Sequence, residues 1–561
     1  MSESSTELKF KAKFVSPLEK VFYFREPKDS LFETKAYWNE TLSFQFCFQA
    51  EKTALVYIEM ETNAGEYVQL RYPKAIPALV PDFYCDYREE RRDGYRYFTE
   101  NAATYYPDKL EEIPHEFTVR KNWWFSIWIT VNRGIPVGEY SVKIKVKLKT
   151  QEIILVEKKQ SFSILSVPLE KSDIPVSCWM YYDCLADAHR LPLFGEEYFE
   201  VLNNYFTFCT QHDINTVFVP LFSHPKKEKG GIDPTITQLL AIEKITESVC
   251  EYRFDFTLLD RFLTLAIKTG MRFFEFSHIA SQQGAHHCPK IMGIVNGREE
   301  ILFDCNTQCL SKEYLDFLMT LYRELVVYLK SKGIYEKCYF HISDEPPLGY
   351  IENYMSLAKY VRKLLPDANI IDALHEPDFA KEKVITPVAS TQYIDKFIQR
   401  GVDVWAYYCC EEDYNNLSNR FFNSPLLRTR VLGVQLYLNE TKGFLHWALN
   451  YWYDPTSHTL VDTDYVADGN GVLPAGDCFI VYPGKNRPIS SIRQEAFSDG
   501  IRDYRTLKTL EKYCGKPFVM NLLKNAGFSG FDEYTHSETE FIIFLEKIQL
   551  LLQKVSNNLG K

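Results

Sequence analysis

The sequence lacks the features of a membrane protein and of a nucleic-acid-binding protein. It contains no apolar stretch of the roughly 20 residues that span a bilayer, and its first residues, MSESSTELKFKAK, have no apolar core of a signal peptide. It also lacks a long run of Lys or Arg, and 75 acidic against 64 basic residues give a net charge of −11. These absences predict no nucleic-acid partner, no membrane insertion and a cytoplasmic location, although a chain trimmed of its leader would look the same.

The cysteines are scattered, and the aromatic residues are abundant. Fourteen cysteines in 561 residues do not form the dense framework of a disulfide-stabilised protein, and several lie in apolar runs, where a reduced cysteine behaves as a small hydrophobe. Aromatic residues make up 15% of the chain, which is more than packing alone usually needs. Because sugar-binding proteins use such rings as stacking surfaces, this content is compatible with a saccharide ligand.

Residues 1–170 are predicted to form an N-terminal antiparallel β-sandwich domain. In the segment 138–150, Val142, Ile144 and Val146 alternate with lysines, which is the period of a strand with one buried and one wet face. Similar short runs occur at 42–48, 55–60, 124–131 and 160–165. Turn residues separate some of these runs, as they do in two packed sheets.

Residues 171–487 are predicted to form a catalytic (β/α)₈ barrel, which places the protein in the α/β class. Eight short apolar strands are expected at 176–182, 216–222, 272–276, 338–343, 369–373, 384–389, 402–408 and 443–449. Helical patterns lie between most of them, and this alternation favours a closed parallel barrel. An open doubly wound sheet is the alternative, but no Gly-rich phosphate loop follows the first strand. Residues 488–561 are predicted to be a helical C-terminal segment packed on the barrel.

Two adjacent carboxylates follow the fourth predicted strand. Asp344 and Glu345 come at the strand's C-terminal end, where barrel enzymes place their active sites, and acid/base work on an acetal needs such groups. Pro346 and Pro347 force the chain out of the sheet here, and Pro346 biases Glu345 towards an extended backbone. The alternative is an acidic loop tip in which Asp344 caps the next helix.

Other predicted strand ends carry side chains suited to a sugar. Aromatic faces and polar donors at one end of one barrel favour a saccharide pocket. The substrate-binding candidates are His278, Trp405, Tyr407, Trp447, Asn450 and Trp452. Taken singly, each is more typical of core or rim packing than of ligand contact.

Two segments contain metal-ligand residue types. His286, His287 and Cys288, together with Cys305 and Cys309, offer ligands that zinc prefers, but their spacings do not match the usual zinc motifs. The acidic segment 462–471 hints at a calcium loop, but it lacks the closing Glu at the twelfth position. We therefore expect no metal and no cofactor.

Three motifs resemble those of glycoside hydrolase family 123. They are HISDEP at 341–346, GFLHWALNYW at 443–452, and YPG at 482–484 followed by SIRQE at 491–495 and DGIRDY at 499–504. The resemblance covers the barrel and the segment after it, with a compatible β-domain in front. Gln494 departs from the aliphatic residue expected at its position.

The resemblance implies a retaining exo-β-N-acetylgalactosaminidase that uses the substrate's own acetamido group. By carry-over from the family, Asp344 would accept the acetamido N–H, and Glu345 would act as general acid and then as general base. That role needs a protonated Glu345 at rest, so its pKa should be raised by burial or by its negative neighbour. The expected partner is an oligosaccharide or glycoconjugate with a terminal β-linked N-acetylgalactosamine. The sequence leaves the aglycone and the oligomeric state open.

Two rival functions remain open at this point. A family 20-like β-N-acetylhexosaminidase of broader specificity also uses an adjacent Asp-Glu pair at a barrel strand end. A non-catalytic sugar-binding protein could retain the same pocket. Hydrolysis of an aryl β-N-acetylgalactosaminide separates the second rival from the enzymes.

Overall fold

The described residues of the N-terminal part of the chain form ten strands in two five-stranded sheets. The computed structural model describes residues 10–79, 104–151, 153–223, 235–245, 252–281, 284–412 and 417–559. The strands are β1 (Phe10–Val15), β2 (Lys35–Tyr37), β3 (Leu42–Ala50), β4 (Ala54–Thr62), β5 (Val68–Ala78), β6 (Thr104–Glu112), β7 (Phe117–Val119), β8 (Trp124–Val131), β9 (Gly138–Leu148) and β10 (Ile154–Leu165). The segments predicted as strands at 42–48, 55–60, 124–131, 138–150 and 160–165 fall on β3, β4, β8, β9 and β10.

The two sheets share one hydrophobic core. Their strand orders are β1-β3-β8-β5-β6 and β2-β10-β9-β4-β7, and the pairing is antiparallel except between β2 and β10. Val142, Ile144 and Val146 of β9 are fully buried in that core, in the same cluster as Phe44 and Phe46 of β3. The alternation seen in the sequence of β9 therefore marks its buried face.

Eight parallel strands close into a barrel, which confirms the predicted barrel and excludes the open sheet. In order around the barrel they are β11 (Val176–Cys178), β12 (Thr216–Val219), β15 (Phe273–Phe276), β18 (Cys338–Phe340), β19 (Asn369–Leu374), β20 (Thr386–Ser390), β21 (Trp405–Tyr407) and β22 (Phe444–His446). Most are shorter than the sequence predicted, because the apolar run in several of them continues past the last paired residue into the rim.

A four-stranded sheet, which the sequence did not predict, is inserted after the second and third barrel strands. Its members are β13 (Ala241–Lys244), β14 (Tyr252–Asp255), β16 (Ile291–Val295) and β17 (Arg298–Phe303), in the order β14-β13-β16-β17. Both insertions follow the carboxyl ends of barrel strands, so they belong to the face where barrel active sites form. A short hairpin of β23 (Tyr482–Pro483) and β24 (Pro488–Ile489) precedes the last helices.

Eleven α-helices occur in the described part of the chain. They are α1 (Tyr182–His189), α2 (Glu196–Gln211), α3 (Thr257–Lys268), α4 (Lys312–Ser331), α5 (Ile351–Leu364), α6 (Ile394–Ile398), α7 (Leu426–Arg430), α8 (Leu432–Leu438), α9 (Ile492–Cys514), α10 (Lys516–Asn525) and α11 (Glu538–Leu559). Helix α4 is capped by Ser311, whose hydroxyl accepts from the Tyr314 N–H. None of the helices described is long and apolar enough to cross a membrane.

Helix α9 joins the β-sheets to the barrel through buried ion pairs. Each pair links an α9 side chain to the N-terminal sheets or the segments that connect their strands. Arg493 binds Asp108 in two places, at 2.8 and 2.9 Å. The other pairs are Arg502 with Glu33 at 2.8 Å, Arg505 with Glu40 at 2.7 Å and Glu495 with Arg71 at 2.9 Å.

The same helix packs tightly on the barrel helices. A Cβ added at Gly433 of α8 would lie 1.6 Å from the Gly500 carbonyl oxygen, and one added at Gly500 would lie 2.4 Å from the Arg430 carbonyl oxygen. Only glycine allows the helices to approach this closely. The domain limits at residues 170 and 487 stay a prediction.

Candidate active site

The acidic pair lies in a segment that leaves the barrel directly after β18. The strand ends at Phe340, because the backbone N–H groups that follow donate to a side chain of β19 and not to the β19 backbone. The Ile342 N–H donates to the Asp372 carboxylate at 3.0 Å, and the Ser343 N–H donates to it at 3.2 Å. This anchoring places Asp344 and Glu345 at the barrel rim, and both side chains are partly exposed.

Glu345 has a left-handed backbone, contrary to the extended backbone expected before a proline. Its φ is +45°, a conformation that non-glycine residues rarely adopt. The Glu345 N–H donates to the Ala373 carbonyl at 3.2 Å, which helps to hold this turn. Strained backbone of this kind costs about 1–3 kcal/mol and is concentrated at functional sites.

Two side chains from other strands hold the Glu345 carboxylate. The Tyr407 hydroxyl, at the end of β21, donates to Glu345 Oε1 at 2.7 Å. His375, directly after β19, places Nε2 3.3 Å from the same oxygen and 2.6 Å from the Tyr407 hydroxyl. Tyr407 is therefore brought to the acidic pair as predicted from its position at a strand end, but it contacts a carboxylate.

The electrostatics of Glu345 differ from the sequence expectation. Burial raises its pKa, but the hydrogen bond and charge of His375, with the bond from Tyr407, outweigh burial and lower the pKa below its ordinary value. In turn, burial lowers the pKa of His375, while the bond and charge of Glu345 raise it above the usual range. The expectation of a raised Glu345 pKa was wrong for the resting site, because it did not include the histidine.

The charge of Asp344 acts on a tyrosine near the first barrel strand. Burial raises the pKa of the Tyr181 hydroxyl, and the charges of Tyr451 and Asp344 add to this effect. Tyr181 lies between β11 and α1, whereas His375 and Tyr407 follow β19 and β21. The charge of Asp344 thus acts on Tyr181, whereas Glu345 is bound by His375 and Tyr407.

A buried charge cluster lies directly beneath the pair. His341 donates from Nε2 to Glu275 at 2.6 Å and from Nδ1 to Asp372 at 2.9 Å. Burial lowers its pKa, but the two carboxylates outweigh burial and raise the pKa to about 10, so His341 is a cation at neutral pH. Glu275 also accepts from the Trp179 indole at 2.7 Å and from the Ser177 hydroxyl, and Asp372 accepts from the Tyr354 hydroxyl at 2.6 Å.

Trp447 is the predicted aromatic that remains accessible. Its indole N–H donates to Asp477 at 3.0 Å, and its ring lies 6.2 Å from Tyr181 and 5.5 Å from Tyr451, centroid to centroid. The side chain is only partly buried. Trp447 therefore packs beside the tyrosine on which the charge of Asp344 acts.

Four other predicted sugar contacts lie in packed positions. Trp405 is 1% exposed against Gly443 and Tyr339, and Trp452 is 1% exposed with its N–H on the Val481 carbonyl. We assign both rings to the core. Asn450 is fully buried and uses both amide atoms on the Tyr181 backbone, at 2.9 and 3.1 Å. It is a structural residue and not the polar reader of sugar hydroxyls that the sequence indicated.

His278 is the fourth of these residues. It is fully buried, with its ring centroid 4.4 Å from that of His341 and 5.4 Å from that of Trp179. This position makes it a neighbour of the charge cluster beneath the pair. Its ring therefore packs against His341 and Trp179 and is not exposed at the rim.

Several of the side chains that could bind a metal ion contact other protein groups instead. Within the described ranges, the one group of three ligand-type side chains close enough for an ion is His278, His341 and Asp372, but both ring nitrogens of His341 already bind carboxylates. In the zinc candidate, the 287–308 backbone bridge brings Cys288 near Cys309, while Cys305 is exposed. In the calcium candidate, Asp464 binds Lys74 and Lys109 of the N-terminal sheet at 2.7 and 2.6 Å.

Sequence reasoning missed three residues of this site. Glu275 and Asp372 each lie within apolar strands, FFEF and NIIDAL, and a lone acid in such a strand signals a paired buried charge. His375 directly follows the second of these strands, at the same rim as the acidic pair. A search of all eight strand ends for titratable residues would have found it.

Comparison with known proteins supports a specific family. Residues 179–510, more than half of the chain, match the model described as glycoside hydrolase 123, catalytic domain. A solved structure of a family 123 glycoside hydrolase from Clostridium perfringens, analysed for glycolipid glycan hydrolysis, is 15% identical, with 98% of each chain covered and a TM-score of 0.70. That likeness shows a shared fold.

Other matches are weaker. A β-glucuronidase from Ruminococcus gnavus is 9% identical over 88% of this chain and 69% of its own, with a TM-score of 0.32. Bacteroides uniformis β-glucuronidase 2 is 10% identical over 87% of this chain and 49% of its own, with a TM-score of 0.30. Similarity this weak does not show that these proteins share the fold of this chain. No curated protein matches the chain.

Proposed function

This chain belongs to glycoside hydrolase family 123, and from that premise we propose that it removes terminal β-linked N-acetylgalactosamine from glycans, with Asp344 and Glu345 as the catalytic carboxylates. The observation that carries the proposal is the position of this pair. It follows the fourth strand of a closed barrel, at the end where barrel enzymes carry their chemistry. A strained backbone and two partner side chains hold Glu345 there.

The adjacent pair supports a substrate-assisted mechanism. Conventional retaining enzymes place two carboxylates on opposite faces of the sugar, about 5–5.5 Å apart, and one of them attacks the anomeric carbon. Substrate-assisted enzymes need no enzyme nucleophile. We propose that the acetamido oxygen attacks instead and forms an oxazolinium ring, while Asp344 accepts the acetamido N–H. The products then retain the β configuration.

Glu345 would carry the proton transfers in this mechanism. It donates a proton to the glycosidic oxygen as the bond to the anomeric carbon breaks. Water then attacks that carbon, and Glu345 removes a proton from the water. Positioned acid/base groups of this kind contribute roughly 10²–10⁴-fold to rate.

The pocket would bind the sugar beside the acidic pair and the aromatic side chains near it. Trp447 packs against Tyr181, whose hydroxyl is affected by the Asp344 charge, and Tyr407 and His375 bind Glu345. An axial hydroxyl at carbon 4 leaves one face of a galacto ring more continuously apolar, which suits stacking on the Trp447 indole. We therefore propose Trp447 as the platform and expect a preference for the galacto epimer.

The glycan source is proposed by analogy. The Clostridium perfringens enzyme was analysed for glycolipid glycan hydrolysis, and a glycolipid glycan is the source we propose here. A panel of a glycolipid glycan, a free oligosaccharide and a glycopeptide, each with a terminal β-linked N-acetylgalactosamine, tests this choice. Turnover of the glycopeptide alone would contradict it.

The roles of the two acids can be separated by leaving-group chemistry. A nitrophenol leaves without a proton, so Glu345→Gln should retain far more activity on a nitrophenyl glycoside than on a natural disaccharide. Asp344→Asn should reduce both alike, because the acetamido group attacks in each case. We expect losses of roughly 10²–10⁴-fold, or about 3–5 kcal/mol of barrier.

Glu352→Gln is the matched control, since Glu352 is an exposed carboxylate in the first turn of α5. It should leave both activities unchanged. Equal losses for Glu345→Gln and Asp344→Asn on both substrates would contradict the assigned roles. A wild-type protein that binds but does not hydrolyse the nitrophenyl substrate would favour the sugar-binding alternative.

Two further comparisons test mechanism and specificity. A 2-hydroxyl β-galactoside cannot supply the nucleophile, so it should not react, and a thiazoline mimic of the bicyclic intermediate should bind tightly. For epimers, we expect at least two orders of magnitude in kcat/KM in favour of the galacto form, or roughly 3 kcal/mol. Similar values for both epimers would favour the broader hexosaminidase function.

A further inference from the structure

Three polar atoms beside the acidic pair form a chain of short contacts. His375 Nε2 lies 2.6 Å from the Tyr407 hydroxyl oxygen, and that oxygen lies 2.7 Å from Glu345 Oε1. The direct distance from His375 Nε2 to Glu345 Oε1 is longer, at 3.3 Å. Each of the two contacts that pass through the tyrosine is therefore shorter than the direct contact between the histidine and the carboxylate.

The proton positions on this chain follow from what each atom can donate. An ionised Glu345 can only accept, so the single Tyr407 hydroxyl proton points to it. The Tyr407 oxygen then accepts from His375, whose Nε2 must carry a proton. If one proton moves to Glu345, each donor and acceptor exchanges its role, and both hydrogen bonds are kept.

We propose that Tyr407 passes a proton between His375 and Glu345, so that His375 stores the proton that Glu345 gives to the leaving oxygen. This inference rests on the proposed role of Glu345 as general acid and base. His375 and Tyr407 act through Glu345 and are positioning residues.

The proton transfers balance over one turnover. In the resting site His375 is protonated and Glu345 is ionised. The His375 Nε2–H bond breaks and its proton passes to the Tyr407 oxygen, while the Tyr407 hydroxyl proton passes to Glu345. Glu345 then protonates the leaving oxygen and regains a proton from the attacking water. That proton returns through Tyr407 to His375, and the net reaction is addition of water across the glycosidic bond.

The surroundings of His375 support proton storage. Besides Glu345 and Tyr407, it faces the ring of Tyr393 at 5.5 Å between centroids, and the charges of Glu411 and Glu412 raise its pKa further. Glu412 is buried and accepts from the Cys409 N–H at 2.7 Å and from the Ser390 hydroxyl. Burial raises the Glu412 pKa to about 7, so it adds to the negative surroundings mainly at higher pH.

The experiment measures kcat/KM against pH for two substrates. A methyl glycoside needs a proton on its leaving oxygen, whereas a dinitrophenyl glycoside does not. His375→Gln removes the stored proton, so its alkaline limb on the methyl glycoside should move to lower pH. Relative to wild type, its rate on that substrate should fall about tenfold further at pH 8 than at pH 5. Its profile on the dinitrophenyl glycoside should follow the wild type.

Tyr407→Phe should shift the methyl-glycoside profile in the same direction by a smaller amount, since the direct 3.3 Å contact remains. Tyr465→Phe is the matched control, because Tyr465 is 70% exposed, and its profile should not move. Parallel profiles for wild type and His375→Gln on both substrates would overturn the relay. Failure of the wild type to hydrolyse either substrate would instead contradict the proposed function.

A titration that does not depend on turnover separates the two failures. The His375 ring can be followed by NMR in the wild type and in Glu345→Gln. The relay requires a lower His375 pKa in the variant, because the carboxylate no longer stabilises the protonated ring. The same His375 pKa in both proteins would overturn the relay even if the enzyme is active.

Discussion

Replacing Asp372 by Asn tests the charge cluster beneath the acidic pair. Asp372 is fully buried and accepts hydrogen bonds from His341, from two backbone N–H groups and from Tyr354. Asn has nearly the same size, but an NH₂ group replaces one oxygen of the Asp372 carboxylate. This group is a donor, and it would face the donors that the oxygen now accepts from. The substitution also removes one of the two counter-charges of the His341 cation.

The expected cost follows from the bonds that are lost. Hydrogen bonds to charged groups contribute about 1.5–3 kcal/mol each, and removing one partner of a buried ion pair costs about 3–5 kcal/mol. Burial itself raises the pKa of Asp372 against the effect of His341, so part of the gain from the pair offsets desolvation. We therefore expect Asp372→Asn to lower the free energy of unfolding by about 3–5 kcal/mol at pH 7.

The assay is urea unfolding followed by tryptophan fluorescence, with Asp367→Asn as control. Asp367 is an exposed aspartate shortly before β19, and its variant should unfold like the wild type. The folded-state pKa of His341 is raised to about 10 from 6.5, so its contribution is complete below pH 6.5 and is lost as pH rises through 10. The difference between wild type and Asp372→Asn should therefore shrink as pH approaches 10.

A change below 1 kcal/mol at pH 7 would refute this reasoning. It would mean that His341 is neutral in the folded protein or that the site relaxes around the amide. Loss of kcat with unchanged stability would also contradict it, since the cluster acts on Glu345 and Asp344 only through the backbone it anchors.

Three other outcomes are expected. Trp447→Phe keeps an aromatic face but loses the hydrogen bond to Asp477, so KM for the glycoside should rise several-fold with a smaller change in kcat. A fall in kcat larger than the rise in KM would contradict the role of Trp447 as stacking platform. Burial and the charge of Glu19 raise the pKa of Glu538 to about 7, so the folded protein loses stability as pH rises from 4.5 to 7. In urea unfolding, Glu538→Gln should therefore raise the free energy of unfolding by ~1–2 kcal/mol at pH 8 and leave it unchanged at pH 4. EDTA should leave the initial rate unchanged, and restoration of a lost rate by zinc or calcium would return the cysteine, histidine or aspartate segments as candidates.

The barrel was predictable because every barrel strand is an apolar run. Each of the eight runs found in the sequence overlaps a barrel strand, but the run from 176 to 182 supplies only Val176–Cys178 to the sheet. Met180, Tyr181 and Tyr182 are buried in the rim without pairing. Hydrophobicity indicates burial and not backbone hydrogen bonding, so most of the predicted strands are longer than the observed ones. The rim sheet was missed because β13 and β17 expose much of their surface.

The site was predictable where chemistry is local and not where it depends on contacts between strands. Asp344 and Glu345 are adjacent in sequence and follow a strand, which a single sequence can show. The pKa of Glu345 depends on His375, 30 positions along the chain, and on Tyr407, which is further away still. Asn450 resembled a sugar contact because its composition and position fit, but only the structure shows that the Tyr181 backbone occupies both of its amide atoms.

The ion pairs of α9 bear on how this protein could have evolved. Arg493, Arg502 and Arg505 are buried in the barrel-side helix, and each has its partner carboxylate in or next to the N-terminal sheets. A gene fragment encoding the barrel alone would leave three guanidinium groups without these counter-charges, at several kcal/mol each. The two parts could therefore not be exchanged freely with unrelated modules. Among related sequences, substitutions at Glu33, Glu40 and Asp108 are expected to covary with substitutions of the α9 arginines.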